Sequence, residues 1–330
     1  MLLPPNIPVQ RLSIHHQNLL WKMQSHPVWQ LCLKYFVQLP AVDRVVVAHF
    51  VAVRFVEDRI VYVKNVENIG IVKSLNKALS IASSKYIARM DADDISYPQR
   101  LKVQYEYLEL HSEIGVCGSF VNVKETGECI KYPETHENIV FELLIQNVIA
   151  HPVVMIRKEL LDNYKLQYDD KFYPAEDYKL WIDLITKTKF YNIQFPLLEY
   201  NQHSLSISQS NQDIQLKKIY EIRTIYLLNS LRLNIKDAFV SMQRIISFEN
   251  SKDLQHLEKS KTVLSDLASS NKNVLFFDQK KLLKLLSLYW YVEVHGVDIG
   301  IKEKIKIYLS LRHLGLCNFL FFIKLILNAI

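Results

Sequence analysis

The stretch Tyr86-Ile-Ala-Arg-Met-Asp-Ala-Asp-Asp-Ile-Ser-Tyr-Pro-Gln-Arg-Leu101 constrains this chain more than any other. Tyr86, Ala88 and Met90 alternate as in a buried strand. Ser96, with Pro98 and Gln99 after it, gives the signature of a helix start. Between them lies a turn holding Asp91, Asp93 and Asp94. Carboxylates crowded at a strand end repel one another, and a divalent cation is the simplest agent to offset that charge. Such hard ions take oxygen ligands and bridge readily to phosphates. Taken alone, the triplet is equally a solvated acidic turn, so its surroundings must decide.

Those surroundings are ordered. Arg59–Val63 predicts a short strand, followed by a polar turn with Gly70. Ile71, Val72, Leu75, Ala78, Leu79 and Ala82 then fall on one face of an amphipathic helix, with Asn76 at its edge. Strand, helix and strand at this spacing form a βαβ unit and predict a largely parallel sheet. In open α/β sheets ligands bind at the carboxyl ends of strands, which is where Asp91–Asp94 fall.

Downstream, the pattern predicts a helix from Pro98 to His111, a strand Ile114–Val123 and a hairpin turn Lys124–Gly127 leading to Cys129–Tyr132. Asn138–Gln146 reads as helix and His151–Ile156 as strand, with Arg157 and Lys158 opening another helix. Glu176 and Asp177 begin a helix whose apolar face carries Tyr178, Trp181 and Leu184. Acidic residues in a first turn also satisfy the helix dipole without any chemistry. A short strand Tyr191–Ile193 and a turn Pro196–Tyr200 lead to His203 in a serine-rich loop. Beyond Asp213, long Leu/Ile/Lys patterns predict a helical region, broken near Asn250–Asp253 and Ser269–Asn273. The expected domains are therefore residues 1–212 and 213–330.

Composition narrows the classes. With 49% hydrophobic and 22% charged residues the chain is a folded protein. A net charge of +6 suits anionic substrates or lipid, and no nucleic-acid-binding signature accompanies it. The 4 cysteines form no CxxC pair, which points to reduced thiols and a cytoplasmic protein. No run of about 18 apolar residues occurs, so no membrane span is expected. Residues 301–330 hold 5 Lys/Arg against 1 Glu. Their apolar residues, from Ile305 through Leu309 and Leu316 to Leu327, suit an amphipathic helix. It would lie on an anionic bilayer, at the inner face of the cytoplasmic membrane, or dock on the core.

From about Asn65 to Ser208 the sequence resembles a family 2 glycosyltransferase of the GT-A fold. The matching stretches are Asn68–Leu79, Tyr86–Leu101, His151–Arg157 and Ala175–Trp181. The resemblance implies an α/β, Rossmann-like, mostly parallel sheet flanked by helices, followed by a helical C-terminal region. It implies inverting transfer of a sugar from a nucleotide-diphosphate donor to a glycan or lipid-linked acceptor, in surface polysaccharide or lipopolysaccharide synthesis. Asp93 would hold a divalent metal (Mn²⁺ or Mg²⁺) on the diphosphate, with Asp91 assisting at the ribose or the metal and Asp94 near the donor sugar. Asp177 would be the base that takes the acceptor proton, and Glu176 would orient it or bind the acceptor. Gly70, Asn76, Arg100 and His151 would line the donor pocket, and His203 would reach toward the phosphates or the metal.

Residues 1–56 depart from the family pattern. They hold no glycine, 1 acidic residue (Asp43) and 5 Lys/Arg, and none of the paired-Asp strand that binds base and ribose in the family. Their histidines His15, His16, His26 and His49 have no metal-ligand spacing. A family-like length with unrelated residues suggests a reading-frame disruption or a replaced N-terminus. Two alternatives follow: a degenerate, non-catalytic GT-A-fold binding protein, and a metal-dependent nucleotidyl- or phosphotransferase.

Overall fold

The computed structural model describes residues 45–47, 60–63, 65–201, 212–233, 235–247 and 254–327. The histidines of the N-terminal segment and His203 lie outside them, as does the departure of residues 1–56 apart from 45–47. The chain divides into two compact units, residues 1–136 with 147–212, and residues 137–146 with 213–330.

The first unit is a mixed α/β layer structure. Strand β1 (Val45–Val47) pairs in parallel with β2 (Ile60–Tyr62) in a small sheet. Helix α1 (Ile71–Ile81) follows, then β3 (Tyr86–Ala88), β4 (Ile95–Ser96), helix α2 (Arg100–Leu110) and the long β5 (Ile114–Val123). A hairpin joins β5 to β6 (Cys129–Ile130); β7 (Met155–Arg157), helix α4 (Lys158–Tyr164), helix α5 (Glu176–Leu184) and β8 (Lys189–Tyr200) complete the set, while the intervening helix α3 (His136–Glu142) belongs, but for His136, to the second unit. The main sheet runs β3-β7-β5-β8-β4, with β6 beside β5. Only β5–β8 is parallel within it; the other described pairings are antiparallel. The strands therefore have mixed direction, and among the described residues no ladder joins β2 to β3, whose described partner is β7.

Several local expectations are revised by tertiary context. Ser96 is not the cap of α2: it is strand, opposite Leu198, and the helix opens at Arg100 with Gln99 in the cap position. His151–Val153 is a single 3₁₀ turn, and the strand begins at Met155, since Pro152 has no N–H to give a ladder. Tyr191–Tyr200 is not a strand and a turn but one strand, β8. The register jumps from Ser119↔Ile193 to Phe120↔Pro196, a bulge that takes Pro196 into the sheet. Cys117 is buried and Cys129 half-buried, both as free thiols, and the register sets Cys129 against Asn122.

Between sheet and helices lies a continuous core including Leu108, Val121, Val153, Met155 and Leu198. Gly118 of β5 is required by close packing: a Cβ there would stand 2.2 Å from Asn192 Oδ1. Helix α5 is anchored by Tyr178, Trp181 and Leu184, all essentially inaccessible. That burial fixes how its first turn is presented.

The second unit is helical: α6 (Gln212–Ser230), α7 (Ile235–Ile246), α8 (Leu254–Val274), α9 (Gln279–Gly296), α10 (Ile301–Leu309) and α11 (Phe319–Leu327). Helix α8 runs through Ser269–Asn273 without the expected break. The chain turns only after it, where Leu275 takes a left-handed φ of 55°. The Asn271 side chain both donates to Phe277 O and accepts from Phe277 N, at 3.0 Å each, closing that turn. The basic C-terminal stretch is likewise two helices and not one, separated by a 3₁₀ turn and by the buried Leu316. No helix among the described residues is long and apolar enough to cross a membrane.

Candidate functional site

The strand-to-helix turn after β3 is built around an arginine, Arg89, that the sequence reading passed over. Its backbone N–H donates to Val154 O at 3.1 Å, and its carbonyl accepts from Arg100 Nη2 at 2.6 Å. The backbone is thereby pinned on both sides. The largely buried guanidinium reaches forward to Asp91, with Nη1 2.5 Å from Oδ2. Its Nε is buried without a partner. Arg100, expected in the donor pocket, is instead wholly buried beneath the turn; its Nε donates to Gln104 Oε1 at 3.2 Å. Gln104 in turn ties Cys117 O and Val153 O. Arg100 thus braces the acidic turn from below.

The three aspartates differ in environment. Asp93 is exposed and Asp91 half-exposed at the mouth of the turn. Asp94 is buried, and its Oδ1 accepts the backbone N–H of Asn201 at 2.9 Å, whereas Oδ2 has no partner. Burial, reinforced by the charges of Asp91 and Asp93, raises its pKa to about 7.

Glu176 and Asp177 open α5, after a cis Tyr173–Pro174 bond. Glu176 is buried with Oε2 unpartnered; desolvation and the neighbouring Asp177 raise its pKa to about 7. Asp177 is less buried and accepts from Asn147 Nδ2 at 2.9 Å. Burial raises its pKa too, opposed by the Tyr178 N–H, the Arg89 charge and Asn147. The same arginine therefore influences both carboxylate groups, although they lie some 85 positions apart in sequence.

Gly70 stands at the cap of α1 and Asn76 midway along it. Gly70 has φ 78°, a left-handed value natural to glycine, and receives the Asn68 side chain on its N–H at 3.1 Å. Asn76 clamps the backbone of Tyr168: its Nδ2 donates to Tyr168 O at 2.8 Å and its Oδ1 accepts Tyr168 N–H at 2.9 Å. Tyr168 places its hydroxyl 2.8 Å from His151 Nε2, and the His151 ring lies edge-on to Trp181 of α5. Desolvation and the Arg89 charge hold His151 well below its usual pKa, so its ring is neutral.

The structure thus gathers Asp91, Asp94, His151, Glu176 and Asp177 into one electrostatic neighbourhood. It gives Asn76 and Arg100 bracing contacts. Arg89 had a signal in the sequence, an arginine in an otherwise apolar strand two residues before the first aspartate. Asn147, Tyr168 and Asn201 had none, being loop residues brought in by tertiary folding. Among the described residues no group of three or more His, Cys, Asp or Glu side chains could enclose a metal. Asp91 and Asp93 nonetheless fit a Mg²⁺-like ion. Such ions take one or two carboxylates and complete their shell with water and substrate phosphate, without an all-protein cage.

Residues 48–163 match the sequence profile of glycosyl transferase family 2. The chain is 28% identical over 277 residues to an uncharacterized glycosyltransferase of Haemophilus influenzae, covering 79% of this chain and 81% of that protein. It is 37% identical over 150 residues to the uncharacterized glycosyltransferase MJ1057 of Methanocaldococcus jannaschii, covering 44% of this chain and 51% of that one. With the O-antigen biosynthesis glycosyltransferase WbnJ of Escherichia coli the identity is 34% over 144 residues, 42% of this chain and 55% of WbnJ. The chain thus spans about half the length of the latter two. The likeness to glycosyl transferase family 2 thus falls on residues 48–163, which hold the acidic turn and the braces beneath it.

Proposed function

We propose that this protein transfers a sugar, with inversion, from a nucleotide-diphosphate donor to a hydroxyl of a glycan or lipid-linked acceptor in surface polysaccharide synthesis. One observation carries the reading: Arg89 bonds Asp91 of the strand-end turn, and its charge also acts on Glu176 and Asp177 at the head of α5. A diphosphate-facing carboxylate and a candidate base thereby share one field.

In this reading Asp93 and Asp91 hold a divalent ion, which supplies charge stabilisation to the departing nucleoside diphosphate. Asp94 and Gly70 lie on the donor side. Asp177 takes the proton of the attacking hydroxyl. Its raised pKa suits that task, because a base works best when its proton affinity lies near the working pH. Asn147 holds the Asp177 carboxylate through Oδ2, and the N–H groups of the first helical turn hold it from the backbone side. Glu176, whose proton burial retains up to about pH 7, can in that form donate a hydrogen bond where a second carboxylate would repel. The biosynthetic setting draws on the similarity to WbnJ.

Isothermal titration with UDP, GDP and dTDP, each with Mg²⁺ and then with EDTA, tests the donor side. Binding of one of them that EDTA weakens supports the reading, and no binding by any refutes it. Asp177→Asn should retain that binding while turnover falls about 10²- to 10⁴-fold, the usual size of a general-base contribution. Full activity in Asp177→Asn would remove Asp177 from the mechanism.

A second proposal concerns location: the exposed Lys324 and Leu320 of α11 contact an anionic membrane surface.

A further inference from the structure

Tyr168 is held at both its backbone and its hydroxyl, and the proposed chemistry leaves it without a task. Asn76 fixes its backbone by two hydrogen bonds, and its ring is buried. Its hydroxyl meets one partner, His151 Nε2, at 2.8 Å. The two protons at stake can be arranged in two ways. If His151 carried its proton on Nε2, that N–H would donate to the phenol oxygen, and the buried phenol proton would have no acceptor among the described residues. Leaving a buried donor unsatisfied disfavours that arrangement by roughly 5- to 150-fold. If the phenol donates to a bare Nε2, the ring proton sits on Nδ1. That nitrogen bonds to no described residue and belongs to a residue of intermediate exposure.

We infer that Tyr168 is a positioning residue that fixes His151 as its Nδ1–H tautomer, making Nδ1 an uncharged hydrogen-bond donor for an oxygen of the bound substrate. The geometry requires both groups to stay neutral, and burial secures this by raising the Tyr168 pKa and lowering that of His151. An uncharged donor is useful beside Arg89 because it adds a directed bond without adding positive charge. The chain of contacts begins at Asn76, so one helix-edge amide sets the tautomer of a ring 75 positions away. The substrate contact rests on the glycosyl-transfer reading, whereas the tautomer does not.

Two-bond ¹⁵N–¹H correlation spectra of the uniformly labelled full chain test both parts. His151→Gln removes one pattern from the 11 histidines and so identifies it. The expected wild-type pattern is a protonated Nδ1 with a bare Nε2, and a protonated Nε2 would overturn the inference. Tyr168→Phe should convert the ring to a tautomer mixture; an unchanged pattern would mean that Tyr168 does not set it. Should that variant not fold, the wild-type pattern alone decides the tautomer. UDP, GDP and dTDP are then added with Mg²⁺, and glucose separately. A His151 Nδ1 shift with a nucleotide diphosphate places the oxygen on phosphate, and a shift with glucose alone places it on a sugar hydroxyl. Calorimetric nucleotide binding with no His151 shift overturns the substrate contact while sparing the proposed function. Absence of all nucleotide binding overturns the function and the contact together, and leaves the tautomer standing. In Tyr168→Phe, affinity for the responsive ligand should fall roughly fivefold, the worth of one neutral hydrogen bond.

Discussion

Replacing Glu176 by Gln should make the protein more stable at neutral pH and leave it nearly unchanged under acid. Glu176 is buried, one carboxylate oxygen has no partner, and Asp177 is its sequence neighbour. Desolvation first, and the Asp177 charge second, raise its pKa from the ordinary 4.5 to about 7. Between those values the folded chain keeps a proton that the unfolded chain has released. The folded state then binds more protons, so unfolding free energy falls as pH rises across this window. At 1.36 kcal/mol per tenfold change in proton affinity, the full cost approaches about 3 kcal/mol above pH 7. Gln keeps the shape and cannot ionise. Urea unfolding of both proteins at half-unit steps from pH 4 to pH 8, with EDTA present, reads the difference directly. The gap should be small near pH 4 and widen steadily to pH 7. A gap independent of pH, or one widening toward acid, would refute the reasoning about burial.

Three further outcomes follow from named contacts. Arg89→Met removes the cation beside Asp91 and should cost about 1–3 kcal/mol in urea unfolding, less than a fully buried pair because Asp91 is partly solvated. It should also move the pH–activity profile upward, since Arg89 opposes the raised pKa of Asp177; an unmoved profile would separate the two. Gly118→Ala should destabilise by about 1–3 kcal/mol, as the new methyl meets Asn192 Oδ1 at 2.2 Å, and Asn192→Ala in the same chain should recover part of that loss. Leu320 is 67% exposed, so Leu320→Glu with Lys324→Glu should reduce sedimentation with phosphatidylserine vesicles without lowering the melting temperature. Equal sedimentation would dismiss α11 as a membrane contact.

Much of the architecture could be read from one-dimensional signals because those signals are local. The helix α1 face, strand β5 from Ile114 to Val123, the turn ending at Gly127 and the α5 start at Glu176 follow from periodicity, glycine and helix-dipole preferences. The failures share a cause: a local preference met a tertiary partner. Ser96 is a good cap residue, but the main chain around it pairs with β8. Pro196 reads as a strand stop, but a bulge against β5 accommodates it. Ser269–Asn273 reads as a helix break, yet Asn271 uses its amide to close the following turn.

For the candidate site, the sequence by itself determined the chemistry available: three aspartates in one turn, a Glu-Asp pair at a helix start, and a histidine before a strand. It also determined which family the motifs resemble. Only the tertiary structure decided how those groups are charged and which neighbours each one meets. Asp94 and Glu176 have pKa values near 7 because of what surrounds them, and Asp93 stays exposed one position away. Arg100 braces the turn, Arg89 joins its field to that of α5, and Tyr168 orients His151. The physical reason is that proton affinity and hydrogen-bond direction depend on burial and neighbouring charge, which arise from residues far apart in the chain.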